Sequence, residues 1–191
     1  MSERAEWVVE LRRYTLRPGQ RDTLIELFER EFVAGQEAVG IRVGGRFREV
    51  DDPDRFVWLR AFPDMEARRR ALEAFYYGPV WREHREVANG TMLDSDDVLL
   101  LRGPGYRPPV GAGVVTVTIC HVEPGVTGFQ PGVTGFPPGA AAHRTEHAAN
   151  TFPALPVRED VEVVVWFEEG EGGPLPEGVG RVERLTLEPV V

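Results

Sequence analysis

The sequence predicts an α+β protein in which two β-sheet halves pack sheet to sheet, the second half having its helices reduced to loops. Three observations carry that prediction. Strand and helix patterns run through the first half in the order β-α-β-β-α-α-β. Strand patterns return in the second half, but Pro/Gly-rich loops stand where the first half has helices. A sheet stripped of its helices would leave an apolar face in water, so it is expected to lie against the first sheet.

Taken in order, Trp7–Leu16 (WVVELRRYTL) alternates and is rich in β-formers, which reads as a strand. Pro18-Gly19 turns the chain. Leu24, Leu27, Phe28 and Phe32 then fall at helical spacing, with Glu26, Glu29 and Arg30 pointing elsewhere. Gly44-Gly45 precedes a short strand at Arg46–Val50, and the polar turn Asp51-Asp52-Pro53-Asp54 leads into the returning strand Arg55–Phe62. Asp64 is placed to cap a helix through Tyr76, with Met65, Leu72 and Phe75 on its inner side. Gly78-Pro79 breaks it and opens another helix, expected to reach Ala88, because Pro is tolerated at the first helical position. Asp97–Arg102 is the last strand of this half. A four-stranded antiparallel sheet with helices on one face follows from the order.

Gly103–Gly113 is rich in Pro and Gly and reads as a linker. A strand begins at Val114, and a local duplication follows, PGVTGF at Pro124–Phe129 and again at Pro131–Phe136, read as a loop. Val161–Phe167 and Val182–Glu188 are strands separated by a Gly/Pro/Glu loop. Ala140–Glu146 would supply a fourth strand if this half copies the first. The expected organisation is a first half at residues 1–103, a linker at 104–113 and a degenerate second half at 114–191.

Composition narrows the function. A chain of 191 residues can bury a genuine core. It carries 31 acidic against 22 basic residues, a formal net charge of −9, and its arginines are scattered, so no nucleic-acid partner is expected. Every basic residue is Arg; the absence of Lys excludes Schiff-base chemistry on lysine and a phosphate loop ending in Gly-Lys-Ser/Thr. Cys120 is alone, which excludes internal disulfides and thiolate zinc sites and fits a reducing cytoplasm. No stretch is apolar enough for a membrane span and MSERAEWVVE has no signal-peptide core, so a cytoplasmic protein without a membrane partner is expected. Neither a Gly-x-Ser-x-Gly elbow nor a dinucleotide G-x-G-x-x-G is present.

The stretch PVWREHREVANGTMLDSDDVLLLR (Pro79–Arg102) resembles the signature of the NIPSNAP family, and VVELRRYTLRPG (Val8–Gly19) resembles that family's first strand and turn. In the second half, NTFPALPVRE (Asn150–Glu159) followed by VVVWF is similar to the corresponding stretch of tandem bacterial NIPSNAP-like proteins. The resemblance implies ferredoxin-like halves of the dimeric α/β-barrel superfamily, here closing two sheets into one intrachain α/β barrel. It does not fix a chemistry, since relatives in that superfamily include cofactor-free monooxygenases, cyclases, haem enzymes and binding proteins.

His84 is the candidate catalytic residue. It shares a helical face with Val80, Val87 and Ala88, where an imidazole could act as a general base lining a pocket or simply hold the next loop. Tyr76, Tyr77 and Trp81 flank the Gly78-Pro79 break and could wall a cavity for a planar ligand, or pack helix on sheet. Arg12 with Tyr14 shares one strand face, and Trp58 with Phe56 and Arg60 shares another; a buried Arg would call for an anionic partner, so an acidic ligand is one reading. Asn89, Asp94 and Ser95 read as caps and turns. His143-Arg144-Thr145-Glu146-His147 spells H-x-x-E-H, a zinc pattern only when on a helix with a third ligand downstream. The stretch falls where a strand is expected. No metal is therefore assigned, and His143 and His147 stand only as a zinc alternative. As a strand, Arg144 and Glu146 share one face and could line a cavity.

The expected function is binding of a small hydrophobic or aromatic metabolite, without a cofactor, in a cavity of the barrel. The alternative is a cofactor-free enzyme of secondary metabolism, of monooxygenase, cyclase or isomerase type, with His84 as general base. A homodimer is a further expectation, because lost helices would leave apolar surface on the second sheet.

Overall fold

The structure is a computed structural model that describes residues 6–123, 141–175, 177 and 180–190. Both PGVTGF copies and Ala140 lie outside the described residues. The first half contains β1 (Trp7–Leu16), α1 (Arg21–Leu27), a π-helical turn (Phe28–Phe32), α2 (Val33–Glu37), β2 (Arg42–Glu49), β3 (Arg55–Phe62), α3 (Met65–Tyr76), α4 (Pro79–Thr91) and β4 (Met92–Gly103). The second contains β5 (Val115–His121), β6 (His143–Thr145), β7 (Val163–Glu169) and β8 (Val182–Pro189).

These strands close into one barrel in the order β1-β3-β2-β8-β5-β7-β6-β4. Within each half the order is the same: β4-β1-β3-β2 is matched by β8-β5-β7-β6. The short β6 thus occupies the place expected for the copied fourth strand. Two seams join the halves, β2 with β8 through Phe47 opposite Pro189, and β4 with β6 through Leu101 opposite Thr145.

Period-2 alternation sends side chains to two different cores. Val9, Leu11, Val57, Leu59, Leu99 and Leu101 point into the barrel and meet Val117, Ile119, Val165, Phe167, Leu185 and Leu187 of the second half. Val8, Tyr14, Leu16, Phe56, Trp58 and Phe62 point outward and are covered by the helices. The barrel interior is therefore filled, with Tyr106 from the connecting segment stacked on Phe167 at 4.3 Å between ring centres.

Several elements differ from the sequence reading for identifiable reasons. Gly44-Gly45 lies inside β2, because the connecting segment passes close by: a Cβ on Gly44 would meet the Tyr106 carbonyl oxygen at 2.7 Å. The amphipathic run after Pro18-Gly19 widens at Phe28–Phe32. In an α-helix, residues four apart rotate progressively off one face; the wider turn takes up that drift and keeps Phe28, Phe32 and Gln36 all buried. α4 runs on to Thr91, whose hydroxyl donates to the Ala88 carbonyl. β4 starts at Met92, with register shifts against Thr15 and Leu16 absorbing its irregular acidic beginning. Asp64 caps α3 as expected, its carboxylate accepting from the Ala67 amide at 2.7 Å.

The outer face of the second sheet is not left wet. Thr116, Thr118, Cys120, Val164 and Trp166 are buried, and Arg184 bonds both Thr118 and the Gly173 carbonyl of the β7–β8 loop.

Candidate functional site

On the outer face of β1 the sequence Glu10-Leu11-Arg12-Arg13-Tyr14 places Glu10, Arg12 and Tyr14 side by side beneath the helices. Glu10 lies opposite Arg60 of β3, and Arg12 opposite Trp58. Arg68 descends from α3 to the same place. The result is a buried ionic cluster. Glu10 Oε2 accepts from Arg60 Nε and Arg12 Nη1, both at 2.6 Å, and Oε1 accepts from Arg68 Nε at 2.8 Å. Arg60 Nη1 also donates to Gln36 Oε1 at 3.1 Å and to the Tyr76 hydroxyl at 3.2 Å. Arg12 Nε donates to the Tyr14 hydroxyl at 3.0 Å.

Burial opposes ionisation of Glu10, but the charges of Arg60, Arg12 and Arg68 outweigh it and hold the carboxyl well below its usual range. Arg68 shows the other side of the balance. Burial, aided by the positive charges of Arg60 and Arg12, lowers its pKa despite the contact with Glu10.

Above this cluster is a cavity of about 330 Å³ between the first sheet and its helices. Arg12 and Tyr14 form part of its floor; Tyr76, Tyr77, Trp81, Arg85 and Asn89 come from α3, its C-terminal end and α4; Met92 and Ser95 come from β4. The remaining wall, Phe152, Ala154 and Leu155, belongs to the loop after β6 in the second half. Asn150 shapes that loop. Its Oδ1 accepts from the Phe152 amide and from Arg68 Nη1, both at 3.0 Å, while Nδ2 donates to the Leu155 carbonyl. Phe152 then stacks near the Tyr76 ring at 5.9 Å, and Trp81 meets Tyr76 edge-on at 5.0 Å.

The structure brings Arg12, Tyr14, Tyr76, Tyr77 and Trp81 to one cavity, outside the barrel rather than within it. Asn89 and Ser95, read from sequence as structural, line it as well. Trp58 does not; it is buried beneath the guanidinium groups of Arg12 and Arg60, 5.7 and 5.2 Å from its ring centre. Arg144 and Glu146 stand elsewhere, in a separate cleft at the β4–β6 seam, where Glu146 pairs with Arg102.

His84 does not line the cavity either. Val87 of its expected apolar face is exposed, and the imidazole lies 3.6 Å from Glu31 of the π-helical turn, edge-on to Phe32. The zinc alternative has no geometry. His143 is on a strand and packs edge-on to Phe167, whereas His147 is exposed and pairs with Glu162. Among the described residues no group of three His, Cys, Asp or Glu side chains could hold a metal ion. No helix among them is long and apolar enough to cross a membrane.

Glu10, Arg68, Asn150 and Phe152 are not among the site residues expected from sequence, whereas Arg60 is placed there on the Trp58 face of its strand. The available signal was Glu10, two residues before Arg12 on a strand expected to be covered by helices.

Fold and site define a two-half α/β barrel with an aromatic-walled cavity under the helices of its first half. Residues 9–102 match the NIPSNAP family model, and the chain belongs to the NIPSNAP family. A structure described as an uncharacterised NIPSNAP-like domain protein from Burkholderia xenovorans is 30% identical, with 51% of this chain and 86% of that chain covered at a TM-score of 0.45. Similarity over nearly the whole chain is found with a putative monooxygenase from Fusobacterium nucleatum, 7% identical, covering 99% of this chain and 94% of that one at a TM-score of 0.60. A putative monooxygenase from Lactobacillus acidophilus is 9% identical, covering 96% and 93% at a TM-score of 0.55. At such identities these two share the fold alone. Among curated proteins, none matches the chain.

Proposed function

We propose that this protein binds a small aromatic or hydrophobic metabolite in the cavity between the first sheet and its helices, with no cofactor taking part. The observation that carries the reading is the cavity itself. Its volume of about 330 Å³ accommodates a ligand of one or two rings, and Tyr76, Tyr77, Trp81 and Phe152 offer aromatic surface around it. Contribution of Phe152 from the second half gives the tandem arrangement a role at this site: one half holds the cavity and the other closes it. The enzyme alternative built on His84 is not carried further, because that imidazole is turned toward Glu31.

Isothermal titration with 2-naphthamide, a neutral two-ring probe, tests this. Saturable one-to-one binding is expected, weakened about tenfold or more in Trp81→Ala by loss of an aromatic wall and unchanged in His84→Ala. Failure of the native protein to bind either this amide or the corresponding acid, 2-naphthoate, or binding indifferent to Trp81→Ala, would refute it.

A further inference from the structure

The buried cluster beneath the cavity is out of electrical balance. Glu10 is its one carboxylate, against the guanidinium groups of Arg12, Arg60 and Arg68, which leaves two positive charges uncompensated within it. All four side chains are essentially without solvent contact. An uncompensated buried charge is expensive, and each buried N–H without an acceptor adds to that. Two such donors are present: Arg60 Nη2 and Arg68 Nη2 are buried and have no hydrogen-bond partner among the described residues.

Of the cluster, Arg12 reaches the cavity. Arg12 forms part of its wall, and among the described residues the Nη2 of Arg12 makes no hydrogen bond, its Nε and Nη1 being engaged by Tyr14 and Glu10. Among the described residues no acidic side chain lines the cavity, whereas Arg85 adds a further positive charge on the α4 side. A protein with a net charge of −9 has nevertheless gathered an excess of arginine at this one aromatic-walled place.

We infer that the ligand of this cavity is an aromatic acid, whose carboxylate meets Arg12 and supplies the negative charge that the Glu10–Arg12–Arg60–Arg68 cluster lacks, while its ring lies among Tyr76, Trp81 and Phe152. The inference rests on the binding reading above and adds the charge of the ligand to it. Arginine suits this task because its planar fork matches a carboxylate and its charge persists when buried.

The test compares 2-naphthoate with 2-naphthamide, which have the same ring system and differ in charge, by isothermal titration at fixed ionic strength. Native protein is expected to bind the acid at least tenfold more tightly than the amide, the scale of one charge-assisted hydrogen bond. In Arg12→Gln the preference is read as the acid-to-amide ratio within that one variant, and the two probes are expected to bind with equal affinity. Equal affinity of acid and amide would overturn the inference and leave the cavity a neutral aromatic site. Failure of both to bind would overturn the inference together with the binding reading. Undiminished acid binding in a folded Arg12→Gln protein would also overturn it, by removing the cluster as the anion site. Should Arg12→Gln fail to fold, the acid–amide comparison on the native protein still decides.

Discussion

Glu10 on β1 and Arg60 on β3 are direct cross-strand partners, and their side chains meet at 2.6 Å beneath the helices with neither exposed. Cross-strand register alone brings them together. Because Arg12 and Arg68 share the same carboxylate, Glu10 is the keystone of a cluster that would otherwise be three buried like charges. Glu10→Gln should therefore destabilise the protein by about 3–5 kcal/mol, the scale of breaking a buried ion pair from one side. Urea denaturation at pH 7 measures it. Adding Arg60→Met should recover part of the loss, since one uncompensated charge is removed; a single-variant loss below about 1 kcal/mol would contradict the cluster's role.

Asn150 links the two halves at the cavity, holding the loop after β6 while Arg68 holds Asn150. Truncating it to Ala should release the wall carrying Phe152 without unfolding the barrel. Amides of residues 150–157 should exchange with deuterium about tenfold faster, while those of β1 and β3 stay protected, as for a local opening. Uniformly faster exchange across the first sheet would instead mean that Asn150 supports the whole fold.

How much of this was legible beforehand follows from the range of the interactions involved. Asp64 and α3 were readable because capping and apolar periodicity are local. The α+β class and the paired sheets were readable because stranded halves with uncovered apolar faces have few ways to pack. Which face of β1 meets the helices was not readable. Val8 to Arg12 are buried on both faces, so alternation no longer separates inside from outside. The meeting of Glu10 with Arg68, or of Tyr76 with Phe152, is a tertiary contact that spacing along the chain does not encode. His84 misled for a related reason. Helical spacing put it with Val80 and Ala88, but its neighbour across the groove is Glu31.

At the second seam Gly103 and His143 are in close approach. A Cβ on Gly103 would come within 2.5 Å of His143 Cδ2 and 3.0 Å of its Cα. The backbone atom cannot move aside without shifting β6, which pairs with β4 over very few residues. Gly103→Ala should cost about 1–3 kcal/mol, as overpacking does. A substitution neutral in chemical denaturation would show that the seam is slack.

His143 should also give the protein a distinctive acid sensitivity. Burial pushes its pKa down from 6.5 to about 4, and an acceptor at the Val165 carbonyl only partly opposes that. The folded state thus keeps the imidazole neutral where the unfolded chain takes up a proton. Stability from this group is complete above pH 6.5 and declines as pH falls toward 4, by up to about 3 kcal/mol in total. Two measurements check it. The His143 ring resonances should titrate near pH 4 in the native protein. The urea midpoint of His143→Leu should fall less between pH 7 and pH 5 than that of the native chain, because the variant has no proton to gain on unfolding at this position. A native titration at pH 6 or above would show an imidazole reached by water, and the linkage would vanish with it.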